Sequence, residues 1–264
     1  MRTLPEAAGL YYELHGPEDA PPLILSSGLG GSAGYWAPNL PTLAEHYRVL
    51  VYDHRGTGRS DRALPDVVTV EHFADDILAL MDALGIAQAH VVGHAAGGLA
   101  GLALALKALD RLDKLVVVNG WAKADPHFLR CFEARLHLLR DSGVEAFLRA
   151  QPIFLYPADW ISVHTAELDA ELPHELATFP GVENMERRIA ALAAFDVVGK
   201  LRHLNDRVLV LANLEDMLVP SVAGRGLSRE LGGAHFHATA NGGHACNVTE
   251  PDTFNRVVLD FFRS

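Results

Sequence analysis

Cysteine is nearly missing from this chain, whose 264 residues hold only Cys131 and Cys246. Two distant thiols do not make the disulfide framework of a small secreted domain, and they read as free thiols in a reducing compartment. Positive charge is also scarce: 22 Lys and Arg face 33 Asp and Glu, a formal net charge of −11. A surface so acidic repels phosphate backbones, which argues against nucleic acid as a partner. Long hydrophobic runs are absent too. The longest, residues 95–106, falls short of the roughly 20 residues that a bilayer span requires, so no membrane association is expected. Residues 1–10 lack the continuous apolar stretch of a secretory signal. The expectation is a soluble cytoplasmic protein without internal repeats or low-complexity segments.

Apolar residues make up 49% of the chain, and their pattern is informative. Short apolar, β-branched runs at 23–25, 48–52, 90–92, 114–118, 207–211 and 234–238 alternate with helical stretches. Continuous apolar character suits parallel strands buried on both faces. Within 70–84, Phe73, Ile77, Leu80, Met81 and Leu84 recur at helical spacing, and Gly85 follows as the expected C-terminal cap. Further helices are expected over 96–109 and 253–262. The fold class is therefore α/β, with a mostly parallel central sheet flanked by helices, in one domain over residues 1–264. From about 122 to 200 the alternation breaks into several helices carrying Phe128, Phe132, Phe147, Phe154, Tyr156 and Trp160. No Pro/Gly/Ser-rich linker brackets this stretch, so it does not read as a separate domain.

The most informative segment is Val91-Val92-Gly93-His94-Ala95-Ala96-Gly97-Gly98. It reads as a strand entering a sharp G-x-S-x-G turn with alanine where serine is expected. In such a turn the nucleophile sits at a strained strand-to-helix junction, and small neighbours let strand and helix approach closely. Alanine cannot attack a substrate. Downstream, Asp216 follows the run 207–211 at an expected strand end, where a carboxylate can orient an imidazole and stabilise its cation. His244 lies on the glycine-rich loop Asn241-Gly242-Gly243-His244. Position 95, then Asp216, then His244 is the nucleophile, acid, base order of α/β-hydrolases.

Three more segments carry that likeness: Tyr12-Glu13-Leu14-His15-Gly16, an early hairpin strand; Leu23 through Ser32, a strand plus oxyanion loop; and Asp53-His54-Arg55-Gly56-Thr57-Gly58-Arg59-Ser60-Asp61, a D-x-R-G-x-G-x-S-D turn. In register over nearly the whole chain, the set resembles the α/β-hydrolase superfamily. The resemblance implies an α/β-hydrolase fold in which residues 122–200 form a helical cap over the site. It also implies an oxyanion hole made by the backbone N–H groups of Leu29 and Ala96. A closer likeness lies in Ser27-Gly28-Leu29-Gly30-Gly31-Ser32, Val118-Asn119-Gly120-Trp121, the stretch from Gln151 to Trp160, and the stretch from Gly242 to Thr249. These segments resemble the RutD family of α/β-hydrolase-like proteins from bacterial pyrimidine (uracil) degradation. That resemblance implies hydrolysis of carbamate or aminoacrylate, both small and labile, with Trp121 and Trp160 as candidate substrate-binding residues.

Each candidate has a plainer reading. His244 competes with a solvated loop histidine, and Asp216 with a turn-forming aspartate. Asn119 stands where some α/β-hydrolases carry the acid, but an amide cannot offset an imidazolium charge. Gly28-Leu29-Gly30-Gly31-Ser32-Ala33 also fits G-x-G-x-x-A, with Asp53 at the end of the next strand as a ribose-binding acid. Against that dinucleotide reading, Tyr35, Trp36 and Pro38 are poor residues for an opening helix. Cys246 reads as a packed thiol. His235 and His237 share a strand face with no third ligand nearby, so no metal is expected, and no cofactor.

Three functions follow from these residues. The first is a hydrolase in which His244, oriented by Asp216, activates water without a serine nucleophile. The second is an α/β-hydrolase-like binding protein without turnover; the third is a carboxylesterase whose elbow serine has been exchanged for alanine. All three imply a small-molecule partner, and the sequence leaves the oligomeric state open, a homodimer included.

Overall fold

The computed structural model describes residues 6–264, so the reading of residues 1–10 lies partly outside the described residues. Eight strands among them form one sheet: β1 (Glu6–Ala7), β2 (Leu10–His15), β3 (Pro22–Ser26), β4 (Arg48–Tyr52), β5 (Ala89–His94), β6 (Leu112–Val118), β7 (Val208–Asn213) and β8 (His235–Thr239). Their spatial order is β1-β2-β4-β3-β5-β6-β7-β8. β2 runs antiparallel to β4, and β3 through β8 pair in parallel. The six apolar runs coincide with β3 to β8 to within two residues at either end. The helices are α1 (Leu40–Leu43), α2 (Val70–Ala83), α3 (Ala96–Lys107), α4 (Pro126–His137), α5 (Val144–Leu155), α6 (Ala158–Thr178), α7 (Val182–Ala194), α8 (Ser221–Glu230), α9 (Cys246–Thr249) and α10 (Pro251–Arg263).

Successive strand side chains point to opposite faces, and here both faces are covered. Ile24, Leu50, Val91, Leu115, Val117 and Val210 pack in one layer with α2 and α3. Leu25, Val51, Val92, Val116, Val118 and Leu211 pack in the other with Phe254, Val258 and Phe261 of α10. This two-sided burial is why the strand sequences are continuously apolar rather than alternating. α2 ends as expected: Gly85 takes φ +65°, and the N–H of Ile86 bonds the carbonyl of Met81 at 2.8 Å, the closing bond of a glycine cap.

Helices α4 to α7 form the insertion, and its two roots are held together. Lys123 and Asp196 form an antiparallel bridge and an ion pair at 2.8 Å, and Val197 N–H donates to the Ala122 carbonyl at 2.9 Å. No described helix is long and apolar enough to cross a membrane. The dinucleotide reading finds no support. The glycine loop opens only a short 3-10 turn, Ala33–Trp36, and Asp53 is taken up inside the fold. Its buried carboxylate accepts from Ala33 N–H at 2.8 Å and from the Arg59 N–H and Nε at 2.9 and 2.7 Å.

Candidate active site

The site gathers at the C-terminal ends of β3, β5, β6 and β7, where open α/β sheets place their ligand crevice. β5 ends at His94, and Ala95 turns the chain at φ 45°, ψ −108°, directly before α3. Only small residues permit this turn: a Cβ on Gly97 would lie 2.0 Å from the Ser26 carbonyl oxygen, and one on Gly93 would lie 2.3 Å from the Gly97 backbone. The strained residue is pinned by its N–H on the Val118 carbonyl at 2.8 Å. Ala96 is therefore the first residue of α3, where an N–H has no intrahelical acceptor and the helix dipole is positive. Leu29 sits in the loop after β3, between Gly28 and Gly30, closed by a Gly31 N–H to Gly28 carbonyl bond of 3.1 Å.

Asp216 and His244, 28 positions apart, meet. Nδ1 of His244 lies 2.7 Å from Oδ2 of Asp216, both side chains buried. The other carboxylate oxygen accepts the N–H groups of Leu218 and Val219, each at 2.8 Å, which fixes the carboxyl plane. With Nδ1–H donating to the carboxylate, Nε2 carries the lone pair that can take a proton. Cys246 is buried nearby, and burial pushes its thiol up to about 12, which leaves it protonated and unsuited to attack.

Two asparagines hold the histidine loop, and sequence reasoning found neither role. Asn119, at φ 49° after β6, donates from Nδ2 to the His244 carbonyl at 2.7 Å and accepts the Asn213 N–H at 2.9 Å. Asn213 accepts the N–H groups of Glu215 and Gly243 at 2.8 and 3.0 Å and donates to the Asn241 carbonyl. Asn119 thus stands where an acid can stand but works as a loop clamp, on a left-handed backbone that asparagine tolerates. His94 adds a third hold. Its Nε2 donates to the His244 carbonyl at 2.9 Å, and its ring meets the His244 ring edge-on at 4.5 Å. Burial, then the neighbouring His244, holds the His94 imidazole well below its ordinary value.

The cap closes over this loop: Ala245 N–H donates to the Leu155 carbonyl at the end of α5 at 2.9 Å. Gly243, at φ +68°, packs closely on the cap: a Cβ there would lie 3.0 Å from the Leu155 carbonyl oxygen and from Pro157 Cδ. Ala95 is 6% exposed and His244 2%, so the elbow and the base are covered. Trp121 lies in the same core layer as Ala95 and Ala96, its ring 4.4 Å from Phe128, its indole N–H buried with no protein acceptor. Trp160 is half-buried on α6, and its ring contacts are within the cap, with His164 at 3.9 Å and Tyr156 at 4.4 Å. The structure brings Asp216 and His244 together beside the elbow, where His94, next to Ala95, meets the His244 ring; Leu29 lies on the loop after β3, Trp121 packs on Phe128 in the core layer that also holds Ala95 and Ala96, and Trp160 stays in the cap.

The profile of the α/β hydrolase fold family matches residues 21–251. A protein of Caulobacter vibrioides strain NA1000, provisionally named carbamate hydrolase RutD, is 54% identical over 261 residues, covering 98% of this chain and 97% of that protein. A protein of the same provisional name from Agrobacterium fabrum is 46% identical over 254 residues, covering 96% and 97%. Among solved structures, a hydrolase from Pseudomonas aeruginosa PA01 superposes with a TM-score of 0.86 at 28% identity, covering 97% of this chain and 94% of the other.

Proposed function

We propose, from the premise that this chain belongs to the α/β hydrolase fold family and within it to the RutD family, that it hydrolyses carbamate or aminoacrylate by proton transfer and water activation, without an acyl-enzyme. The observation that carries this reading is a complete, buried Asp216–His244 pair at 2.7 Å beside an elbow that presents only a methyl group. Such a site retains a general acid/base, and Leu29 and Ala96 N–H groups suited to bind negative charge, but no covalent route. General acid/base catalysis supplies about 10²–10⁴-fold, which suits bonds that already break readily.

For carbamate, His244 takes a proton from water at Nε2 and delivers it to nitrogen; the C–N bond then breaks with its electron pair going to nitrogen, releasing ammonia and carbon dioxide and leaving hydroxide. For the imine form of aminoacrylate, water adds to the C=N carbon while His244 takes its proton and passes it to nitrogen. The resulting carbinolamine expels ammonia and leaves a 2-oxo acid. The covered elbow, 6% exposed at Ala95, favours substrates of a few atoms. A second reading, binding without turnover, is favoured by the same methyl group.

The two readings separate in one measurement: ammonia release from freshly generated aminoacrylate and from carbamate, with and without the protein. Acceleration is expected, abolished in His244→Ala and weakened less severely in Asp216→Asn. Equal rates with and without the protein would leave only the binding reading.

A further inference from the structure

Arg188 is a cation of the cap buried to 0% exposure, and no carboxylate is among its hydrogen-bond partners within the described residues. It sits on α7 and faces the oxyanion loop. Nε and Nη2 both donate to the Leu29 carbonyl, at 3.2 and 3.0 Å, and Nη1 donates to the Arg55 carbonyl at 3.2 Å. Nη2 also donates to Nδ1 of His54 at 3.0 Å. Because a guanidinium only donates, His54 must accept at Nδ1 and carry its proton on Nε2, which donates to Ser26 Oγ at 3.1 Å. Ser26 in turn contacts the Tyr52 hydroxyl at 2.8 Å. Ser26 is also the wall against which Gly97 packs, with 2.7 Å between Ser26 Oγ and any Cβ placed there. One buried network therefore runs from the cap to the loop bearing Leu29 and on to the back of the elbow bearing Ala96.

We propose that Arg188 is the positioning residue of the oxyanion hole: from the cap it fixes the Leu29 peptide and, through His54 and Ser26, the wall behind Gly97, so the hole is formed only while α7 is seated. The inference rests on the reading of Leu29 and Ala96 as oxyanion donors. A charge held just behind the loop, which feels the Asp76 carboxylate but hydrogen-bonds none, also favours negative charge gathering on the loop's far side. Burial lowers the Arg188 guanidinium only to about 10, so it stays charged at neutral pH. Stitching α7 to the body does not itself need Arg188. Asn184 donates to the Gly56 and Arg62 carbonyls at 3.2 and 2.9 Å, and Arg187 donates to the Leu64 carbonyl at 3.0 Å. Arg187 therefore provides the control: same helix, same neighbouring segment, no contact with Leu29.

The test compares Arg188→Met, Arg188→Lys and Arg187→Ala by crystal structure and by kcat and KM in the ammonia-release assay. In Arg188→Met the Gly28–Gly31 loop is expected to turn its Leu29 peptide. A fall in kcat of about 100-fold is expected, the scale of losing one oxyanion donor, with KM changed less than about threefold. The lysine variant keeps the charge but reaches fewer acceptors, so it should recover part of the loss; should the methionine variant not fold, its loop geometry serves instead. Arg187→Ala should lower thermal stability and leave kcat unchanged. An unaltered loop in the Arg188 variants, or an equal kcat loss in Arg187→Ala, would overturn the proposal. If the wild-type protein turns over neither substrate, the substrate assignment fails by itself, and the loop geometry of the Arg188 variants still decides the role of Arg188.

Discussion

Mild acid should destabilise this protein through two histidines that the fold keeps neutral. His54 is held well below its ordinary value of 6.5 by burial and then by the Arg188 charge, and His94 by burial and then by His244. In the unfolded chain both titrate normally, so as pH falls through 6.5 the unfolded state takes up protons that the native state refuses. Folded values below the unfolded one therefore remove stability from pH 6.5 downward and leave it intact above. Between pH 7 and 5.5 this amounts to about 1 kcal/mol per histidine and about 2–3 kcal/mol for the pair, with protonation in the unfolded chain alone. His90, lowered by burial against the opposing pull of Asp113, acts in the same direction. Asp76 and Glu175, whose carboxyls are raised chiefly by burial, act in the opposite sense at lower pH, so the slope is best measured above 5.5. Equilibrium urea unfolding at half-unit steps provides the assay. His54→Asn should start less stable but show about half the pH slope. A flat stability profile between pH 7 and 5.5, or an unchanged slope in the variant, would refute the neutral-histidine account.

Three further outcomes follow from the site geometry. Gly97→Ala forces a Cβ to 2.0 Å from the Ser26 carbonyl; with backbone on both sides it should lose about 3 kcal/mol or more, and normal urea stability would contradict the close approach. Asn119→Asp should be as damaging to kcat as Asn119→Ala, because a carboxylate cannot donate to the His244 carbonyl; retained or raised activity in the aspartate variant would reinstate position 119 as an acid. The unaltered protein should resist fluorophosphonate labelling, Ala95→Ser should label, and Ala95→Ser/His244→Ala should not; labelling of the unaltered protein would sink the water-based mechanism.

What was legible in the sequence is what burial writes in runs. β3 to β8 are apolar on both faces and so stand out, and the elbow shows because three glycines and an alanine are the residues its close approach demands. The two-residue strand β1 carries no such signal. Nor do the kink at His164 and the proline inside α6, because a half-buried cap helix tolerates interruptions that a core helix does not. The histidine clamp was hidden for a different reason. Asn119 and Asn213 act on backbone groups of a loop up to 125 positions away, and neither residue type nor spacing encodes a distant carbonyl. Arg188 did leave a trace: Met185, Arg188, Ile189 and Leu192 recur at helical spacing on the buried face of α7, so a charge on an apolar stripe was there to be questioned.

The elbow itself is the remaining step. A non-glycine residue at positive φ is strained by about 1–3 kcal/mol, and here the side chain so displayed has no chemistry. The strain makes sense if the turn serves its neighbours. Ala95 is the single residue between β5 and α3, so the Ala96 N–H and the positive end of the helix dipole open at the end of β5, where the His94 ring meets that of His244. Relaxing the turn would lengthen the connection and carry that N–H away from the Asp216–His244 pair. On this argument a methyl group at position 95 removes the covalent step and leaves the electrostatic one.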